Sequence, residues 1–498
     1  MSILSILDRE RSVAPPRYNR WLIPPAALAI HLAIGEVYAF SVFKNPLMER
    51  FDASHTQIGF IFSIAIGMLG LSAAFGGTWV EKVGPRKAMA LATVFWIVGF
   101  GVGSVGVATE QLWLLYLGYG GIGGIGLGIG YVSPVSTLIK WFPDRPGMAT
   151  GLAIMGFGGG ALVASPLTSS LLATFANSPL TPIVATFLAL AAIDLVIMVA
   201  GIATMRVPAP GWRPDGWEPP TVQRSALVTT ANVSARNAIR TPQFWLLWLV
   251  MFCNITAGIG ILEQAAPMVQ DFFPAVTATV AAGFVGVLSL CNMAGRFGWS
   301  SLSDWMGRKR IYVMYLGVGA IAYLLLSQVG TASVPLFVLF AAVIISFYGG
   351  GFAALPAYIK DLFGGYQVSA IHGRVLTAWS AAGIAGPLIV NSIADRQKAS
   401  GASGSDLYSV SLLVMVGVLA VGFVANLLIK PVSKRWHERE GSLAADGVRL
   451  ESTRRPAAQD RARRLGGAVP VALWVVVAGG LAYGLWLTVD KALELFVG

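Results

Sequence analysis

Long apolar stretches recur from one end of this chain to the other. A helix needs about 20 mainly apolar residues to cross a hydrocarbon layer of about 30 Å. Thirteen such stretches cover residues 21–43, 57–80, 88–108, 112–139, 148–174, 182–205, 243–264, 276–302, 311–329, 335–358, 373–394, 408–429 and 468–489. Few segments show the alternation of a strand. Because backbone groups in lipid must be hydrogen-bonded internally, the pattern predicts an all-α polytopic membrane protein.

Basic residues are distributed by loop and do not gather on one surface. The 498 residues carry a net charge of +11, although only 12% of them are charged. With a cytosolic N-terminus, all but six of the 35 Lys and Arg residues fall in cytosolic segments. The positive-inside rule therefore predicts a cytosolic N-terminus and, after thirteen crossings, an external C-terminus. We expect a multi-pass plasma membrane protein of the bacterial inner-membrane type, with no nucleic-acid partner.

Residues suited to metal, cofactor or covalent chemistry are scarce. Cys253 and Cys291 lie inside predicted helices, and the four histidines are scattered without ligand spacing. The run from Gly121 to Gly126 has the letters of a dinucleotide fingerprint, but it lies inside a lipid-length apolar stretch. Its glycines indicate close packing between helices. We expect no metal, no cofactor and no enzymatic activity.

Landmarks of the first half of the chain recur in the second half. Pro134 and Pro356 lie 222 positions apart, and Pro166 and Pro387 lie 221 apart. A constant displacement indicates duplication of a six-helix unit. The predicted organisation is an N-terminal bundle at 1–205, a cytosolic linker at 206–242, a C-terminal bundle at 243–430, a basic cytosolic tether at 431–467 and an additional transmembrane helix at 468–498.

Two short turns, after predicted helices 2 and 8, carry related charged motifs. A carboxylate, a glycine turn and cations at adjoining helix ends can fasten neighbouring helices when that side is closed. The motifs comprise Gly77, Glu81, Lys82, Gly84, Arg86 and Lys87, and then Asp304, Gly307, Arg308 and Lys309. By this spacing the chain resembles the major facilitator superfamily, which implies two six-helix bundles. We expect a cytosolic gate, weaker in the second copy, where Ser300 replaces a glycine and Trp305 a cation.

A single arginine, Arg296, interrupts the otherwise uncharged stretch from Val276 to Leu302. Arginine cannot release its proton, and an unpartnered one in a spanning helix costs roughly 2.5–3.5 kcal/mol by insertion scales. It must therefore face a partner carboxylate, a cavity or a bound anion. An ion pair with a neighbouring helix is one interpretation; an anion-binding site is the one we favour.

Three further stretches narrow the resemblance. Residues 35–46, 131–147 and 292–304 are similar to the oxalate/formate antiporter family, which is related to the monocarboxylate transporters. The resemblance covers roughly residues 20–430. It implies a carboxylate held between an arginine of helix 8 and a lysine of helix 11 inside an aromatic cage. Arg296 matches the arginine, whereas Trp379 stands where the family has lysine.

The missing lysine affects the expected substrate. One arginine balances one carboxylate, and each uncompensated buried charge costs several kcal/mol. We therefore expect a monocarboxylate such as formate, pyruvate or lactate. The predicted substrate-binding residues are Arg296, Trp379, Tyr38, Tyr131, Tyr348 and Phe352. The candidates for proton coupling, all polar groups at membrane depth, are Glu36, Asp194, Glu263 and His31.

These features predict a secondary active transporter that works by alternating access in a lipid bilayer. We expect it to act as a monomer and to move its anion either with a proton or in exchange for another anion. One alternative is an oxalate:formate antiporter. Another is a non-transporting membrane sensor of a metabolite, which would need a folded output domain. Residues 430–467 are short and irregular for that purpose.

Overall fold

The computed structural model describes residues 7–15, 18–144, 146–209, 212–216, 229, 231–364, 367–438 and 468–497. Its long helices are named α1 to α13. Their bounds are Pro24–Gly35, His55–Val83, Pro85–Ala108, Gly124–Trp141, Pro146–Thr174, Pro182–Thr204, Pro242–Phe272, Ala278–Met306, Arg308–Val329, Val334–Phe363, Thr377–Ala399, Asp406–Leu428 and Ala468–Val497. Together with the short segments that extend some of them, they form thirteen spans long and apolar enough to cross a membrane. The prediction of an all-α protein with thirteen spanning helices is confirmed.

Short elements extend or connect these helices. The 3-10 turns are Arg9–Ser12, Arg20–Leu22, Glu36–Ala39, Gly330–Ala332 and Lys434–Trp436; the short α-helices are Ser41–Phe51, Leu112–Leu115, Ala235–Ala238 and Val368–Val375; a π-helix covers Tyr116–Gly123. Helix α1 therefore changes to a 3-10 turn at Glu36–Ala39 before the chain continues as Ser41–Phe51. Irregular backbone at membrane depth is tolerated where protein buries it or where it lines a cavity.

Glycines of the π-helix Tyr116–Gly123 and of α4 bring these elements into direct backbone contact with α3. A β-carbon added to Gly118 would lie 2.6 Å from the backbone nitrogen of Gly103, and one on Gly126 would lie 2.8 Å from the nitrogen of Trp96. No larger residue fits at either place without moving a helix. The run is a packing surface, as its apolar setting predicts.

Gly84 and Gly307 form the tight turns after α2 and α8. Their φ angles are +87° and +88°, a region that glycine adopts readily and other residues rarely do. We call the end of the bundle that carries these two turns the turn end, and the opposite one the far end.

Corresponding cations of the two motifs bind the ends of helices. Arg86 donates from Nε to the carbonyl of Met205 at 2.8 Å and from Nη2 to that of Ala203 at 3.0 Å, at the end of α6. Lys309 donates to two carbonyls at the end of α12, each at 2.8 Å. A cation at a helix C-terminus is favoured by the helix dipole. Both cations thus fasten helices within their own half.

The remaining charges of the motifs also make contacts close to the turn end. Lys87 pairs with Asp8 at 2.7 Å, and Arg308 pairs with Asp304. The side chains of Glu81 and Lys82 lie outside the described residues. These described contacts join elements of one half to each other, and the cytosolic gate stays a prediction.

Two seams join α1–α6 to α7–α12. On one seam, α2 packs against α11, and Ser380 donates from its hydroxyl to the carbonyl of Gly67 at 2.7 Å. On the other, α5 packs against α8, and Ser289 donates to the carbonyl of Gly158 at 2.8 Å. Small residues at both seams let the backbones approach closely, which suits helices that shift against each other.

Helix α13 packs across the α5–α8 seam. Thr488 donates to the carbonyl of Leu162 in α5 at 3.4 Å, and a β-carbon on Gly286 of α8 would collide with Thr488. Nearer its start, Trp474 donates to the carbonyl of Trp21 at 2.9 Å. The helix continues to Val497, eight residues beyond the apolar stretch predicted to end at position 489. It therefore touches both halves.

Candidate functional site

Arg296 lies at the centre of the molecule, on α8 where it meets α5. Its side chain is fully buried. Nε donates to Oδ1 of Asn292 at 3.0 Å, and Nη1 donates to the carbonyl of Ile154 at 3.1 Å. Nη2 has no hydrogen-bond partner among the described residues. No ion pair joins Arg296 to a described carboxylate, in contrast to the interpretation of Arg296 as a member of an ion pair.

Aromatic side chains from both halves surround this guanidinium. Its carbon lies 5.0 Å from the ring centre of Phe352 and 5.6 Å from that of Phe157. Such cation–π contacts stabilise a desolvated charge by about 2 kcal/mol or more. The six rings around Arg296, which we call the aromatic cage, belong to Tyr38, Tyr131, Phe157, Tyr348, Phe352 and Trp379.

The cage is closed by contacts between the halves. The hydroxyls of Tyr38 and Tyr348 are 2.6 Å apart, so a hydrogen bond joins α1's extension to α10. Trp379 of α11 packs 4.4 Å from the ring centre of Phe352 and 5.1 Å from that of Tyr131. Because each half supplies part of the wall, a rocking motion of the halves would open or close the cage.

Three buried donors of the cage have no partner. They are Nη2 of Arg296, the hydroxyl of Tyr131 and Nε1 of Trp379, none of which meets a hydrogen-bond acceptor among the described residues. An unsatisfied buried donor costs about 1–3 kcal/mol, and more when it is charged. These three donors, one of which belongs to a permanently charged guanidinium, suit an anion with several acceptor oxygens. A carboxylate has this chemistry.

Phe157 and Asn292 belong to the site although neither was among the binding residues predicted from the sequence. Asn292 precedes Arg296 by four positions, so the helical period places both on one face of α8 and could have indicated it. Phe157 carried no comparable signal, since it is an ordinary aromatic residue in an apolar helix.

At the turn end, a cavity of about 550 Å³ opens between the halves. It is lined mainly by residues of α2, α4, α7 and the short helix Val368–Val375, and it reaches Tyr131 in the wall of the cage. Gly77, one of the predicted gate residues, also lines it. The cage can therefore be approached from the turn end.

At the far end, a buried polar network closes the space between the halves. Nζ of Lys44 lies 2.5 Å from Oε1 of Glu263 and 2.9 Å from Oδ1 of Asn391, and both ionic side chains are fully buried. Asn391 also donates to Oε2 of Glu263 at 3.0 Å, and Gln264 donates to Asn391. Glu263, a candidate for proton coupling, is thus the partner of a lysine in this closure and lies outside the cage.

The other three candidates for proton coupling also lie outside the ring of aromatic side chains. His31 is held between the carbonyls of Ala153 and Tyr131, the latter at 3.1 Å from Nε2, and it positions Tyr131. Glu36 lies two residues before Tyr38 in the chain, yet its side chain meets Asp194 of α6. The acidic candidates are therefore separated into one pair and one lysine-bound carboxylate.

The two halves contact each other around a buried cationic cage. The space between them is closed at the far end and open at the turn end, which is the arrangement of a membrane carrier. A family model described as Major Facilitator Superfamily matches residues 26–351 and 275–495. The chain belongs to this superfamily, whose members are transporters and not enzymes.

Individual proteins are also similar to this chain. The oxalate:formate antiporter of Oxalobacter formigenes is 25% identical over 369 residues, which cover 74% of this chain and 83% of that protein. Apicoplast pyruvate carrier 1 of Toxoplasma gondii is 27% identical over 390 residues, which cover 68% and 69%. A bacterial homolog of the human lysosomal transporter Spinster, solved in an inward-facing and unoccupied conformation, has a TM-score of 0.58 at 15% identity and covers 97% of this chain and 99% of its own.

Proposed function

We propose that this protein is a secondary active transporter of a small organic monocarboxylate of the formate, pyruvate or lactate type. The observation that carries the proposal is the free Nη2 of Arg296 inside the aromatic cage. The guanidinium binds the carboxylate, Tyr131 and Trp379 add hydrogen bonds, and the rings exclude water and pack the organic part. The proposed binding residues are Arg296 and the six aromatic residues of the cage. Five of these aromatic residues were predicted from the sequence, and Phe157 is the addition.

The charge of the cage favours a monocarboxylate over oxalate. Arg296 is the only described Lys or Arg within the ring of six aromatic side chains, and Trp379 occupies the place where the similar family has lysine. A dianion would bring a second buried charge without a counterion, at a cost of several kcal/mol. The alternative of an oxalate:formate antiporter is therefore less well supported. No contact of the described residues favours a sensor.

The proposed cycle follows from the two ends of the molecule. The distribution of basic residues assigns the turn end to the cytosol, so the protein is open to the cytosol and closed outside by Lys44, Glu263 and Asn391. When the halves rock, the cytosolic cavity closes and the far-end network separates. We propose a plasma membrane location, a cytosolic N-terminus, an external C-terminus and a monomer as the functional unit.

Uptake by purified protein in lipid vesicles tests this function. Labelled formate, pyruvate, lactate and oxalate are supplied with and without a pH gradient, and with and without the same anion inside. We expect one monocarboxylate to be taken up and oxalate to be taken up poorly. A pH gradient alone drives uptake by a symporter, whereas an exchanger needs internal anion. If none of the monocarboxylates is transported while oxalate is, the proposed substrate class is wrong.

Introducing a lysine at position 379 tests the charge argument. In Trp379→Lys a second cation faces the cage, so the affinity for a dicarboxylate is expected to rise relative to that for a monocarboxylate, by about tenfold for each 1.4 kcal/mol of added attraction. The measurement is competition by oxalate against labelled monocarboxylate. Trp379→Gln, which removes the ring without adding charge, is the control. Equal selectivity in the lysine and glutamine variants would contradict the charge argument.

A further inference from the structure

A small side cavity of about 80 Å³ lies between α1, α5, α6 and α13. Its walls are almost entirely apolar, with two exceptions, Glu36 and Asp194. Glu36 is 6% exposed and Asp194 is 4% exposed. Two acidic side chains in an apolar cavity at membrane depth are costly for a folded protein, so they need a physical explanation.

The two carboxyl groups line the same small cavity and lie close enough to interact with each other. Asp194 also accepts a hydrogen bond from Nε1 of Trp96 at 2.8 Å. Glu36 lines the cavity beside Asp194, and no side-chain donor of another described residue forms a hydrogen bond with its carboxyl. Neither acid forms an ion pair with a described Lys, Arg or His. A hydrogen bond between two carboxyl groups requires a proton on one of them, and two adjacent buried carboxylates cannot both stay ionised.

No described Lys, Arg or His lines the cavity to offset the negative charge of the acid pair. Tyr119, in the π-helix before α4, is the neighbouring titratable side chain that interacts with both acids. Helix α5 contains no titratable residue, and the residues of α13 that line the cavity, Val476, Val477 and Gly480, carry none. The pair is therefore left as two neighbouring acids in an apolar cavity, where a single proton on one of them relieves the repulsion between them.

We propose that Glu36 and Asp194 together bind the proton that is coupled to substrate movement, at a site separate from Arg296. This inference rests on the proposed transport function and selects proton symport from its two modes. Trp96 holds Asp194 in place, and Glu36 is the member that carries the proton to and from the cavity. No group of three or more His, Cys, Asp or Glu side chains suited to a metal ion occurs among the described residues, which favours a proton over a coordinated metal ion.

The backbone connects this proton site to the cage. Glu36 begins the 3-10 turn Glu36–Ala39, and Tyr38 in the same turn bonds across the halves to Tyr348. The turn is seated against α5, because a β-carbon on Gly160 would lie 2.2 Å from the carbonyl carbon of Gly35. A Glu36 side chain that loses its proton is repelled by Asp194, and a rigid four-residue turn transmits that displacement to Tyr38. Proton release thus weakens the Tyr38–Tyr348 closure of the cage.

Helix α13 forms one wall of the cavity that holds the acid pair. Val476, Val477 and Gly480 cover the side cavity from outside the twelve-helix core. The apolar side chains of Val476 and Val477 exclude water from the acid pair on the lipid-facing side. In this arrangement the additional helix keeps the proton from leaking while it is bound.

Infrared spectroscopy of the purified protein tests the proton site without transport. A protonated carboxyl group has a C=O band distinct from that of a carboxylate. At neutral pH we expect such a band in the wild type and its loss in both Glu36→Gln and Asp194→Asn. Glu110→Gln, which removes an exposed carboxylate, is the matched control and should keep the band. If both substitutions leave the band unchanged, the acid pair does not share a proton and the inference is wrong.

Transport then separates this inference from the proposed function. One pH unit of gradient can sustain about tenfold accumulation by one-proton symport. Glu36→Gln is expected to lose this accumulation while it still exchanges labelled for unlabelled monocarboxylate. Exchange in the wild type with no response to pH would overturn the proton site and leave the carboxylate function standing. Accumulation driven by sodium in place of the pH gradient would also overturn it. Absence of any monocarboxylate transport would instead contradict the proposed function.

Discussion

Substitution of Arg296 by lysine is expected to lower kcat/KM for monocarboxylate transport by about tenfold to hundredfold. A hydrogen bond to a charged group contributes about 1.5–3 kcal/mol, and each 1.4 kcal/mol is a factor of ten. Lysine keeps the positive charge but has one Nζ in place of the planar fork. That single nitrogen cannot bind a carboxylate in the geometry of Nη2 and also replace the bonds of Nε to Asn292 and of Nη1 to Ile154. The measurement is the initial rate of labelled substrate uptake into vesicles.

The control for this prediction is Arg396→Lys, which makes the same chemical change on an exposed side chain of α11. Its uptake should match that of the wild type. Thermal unfolding of Arg296→Lys shows whether the variant is folded, which separates a lost contact from a lost structure. Near-normal uptake by folded Arg296→Lys would remove the carboxylate clamp from the mechanism.

Breaking the far-end ion pair is expected to have the second large effect. Lys44 and Glu263 are both fully buried. Removal of one member of a buried pair costs about 3–5 kcal/mol, because the remaining charge is left without a counterion. Lys44→Met should therefore destabilise the closed far end and shift the protein toward the state that is open on that side. Hydrogen–deuterium exchange of the helix Ser41–Phe51 and of the adjoining part of α7 should become faster.

The double variant Lys44→Met/Glu263→Met provides the matched comparison. An apolar pair of similar volume often stabilises a protein as well as a buried ion pair does. Slow exchange should therefore return in the double variant, although the hydrogen bonds to Asn391 are lost. If the single and double variants exchange equally fast, packing and not charge closes this end. If the single variant exchanges as slowly as the wild type, the pair does not contribute to closure.

The buried cations Arg296 and Lys44 differ in their partners, and this difference suits them to different roles. Arg296 is surrounded by aromatic rings and left with a free donor, whereas Lys44 is fully paired with Glu263. The first arrangement retains an interaction for a ligand, and the second uses its interactions to hold the halves together. A buried charge with every partner present is suited to closure, and one with a missing partner is suited to binding.

The sequence alone determined the properties that depend on residues close together in the chain. The thirteen spans follow from runs of apolar residues, because the thickness of the hydrocarbon layer sets the length of a helix locally. The duplicated landmarks indicated the two six-helix bundles, and the uncharged surroundings of Arg296 marked it as a buried cation. The tight turns at Gly84 and Gly307 follow from glycine at a short polar break.

Only the tertiary structure decided which side chains meet across helices. Glu36, Asp194 and Glu263 stood as unrelated candidates in the sequence, and Lys44 was not among them. In the folded protein Glu36 lies beside Asp194, and Lys44 pairs with Glu263. Phe157 entered the cage, and α13 came to lie on the α5–α8 seam. A hydropathy pattern in lipid gives the length of a helix but not its rotation or its neighbours. Those are set by close packing between helices that are distant in the chain.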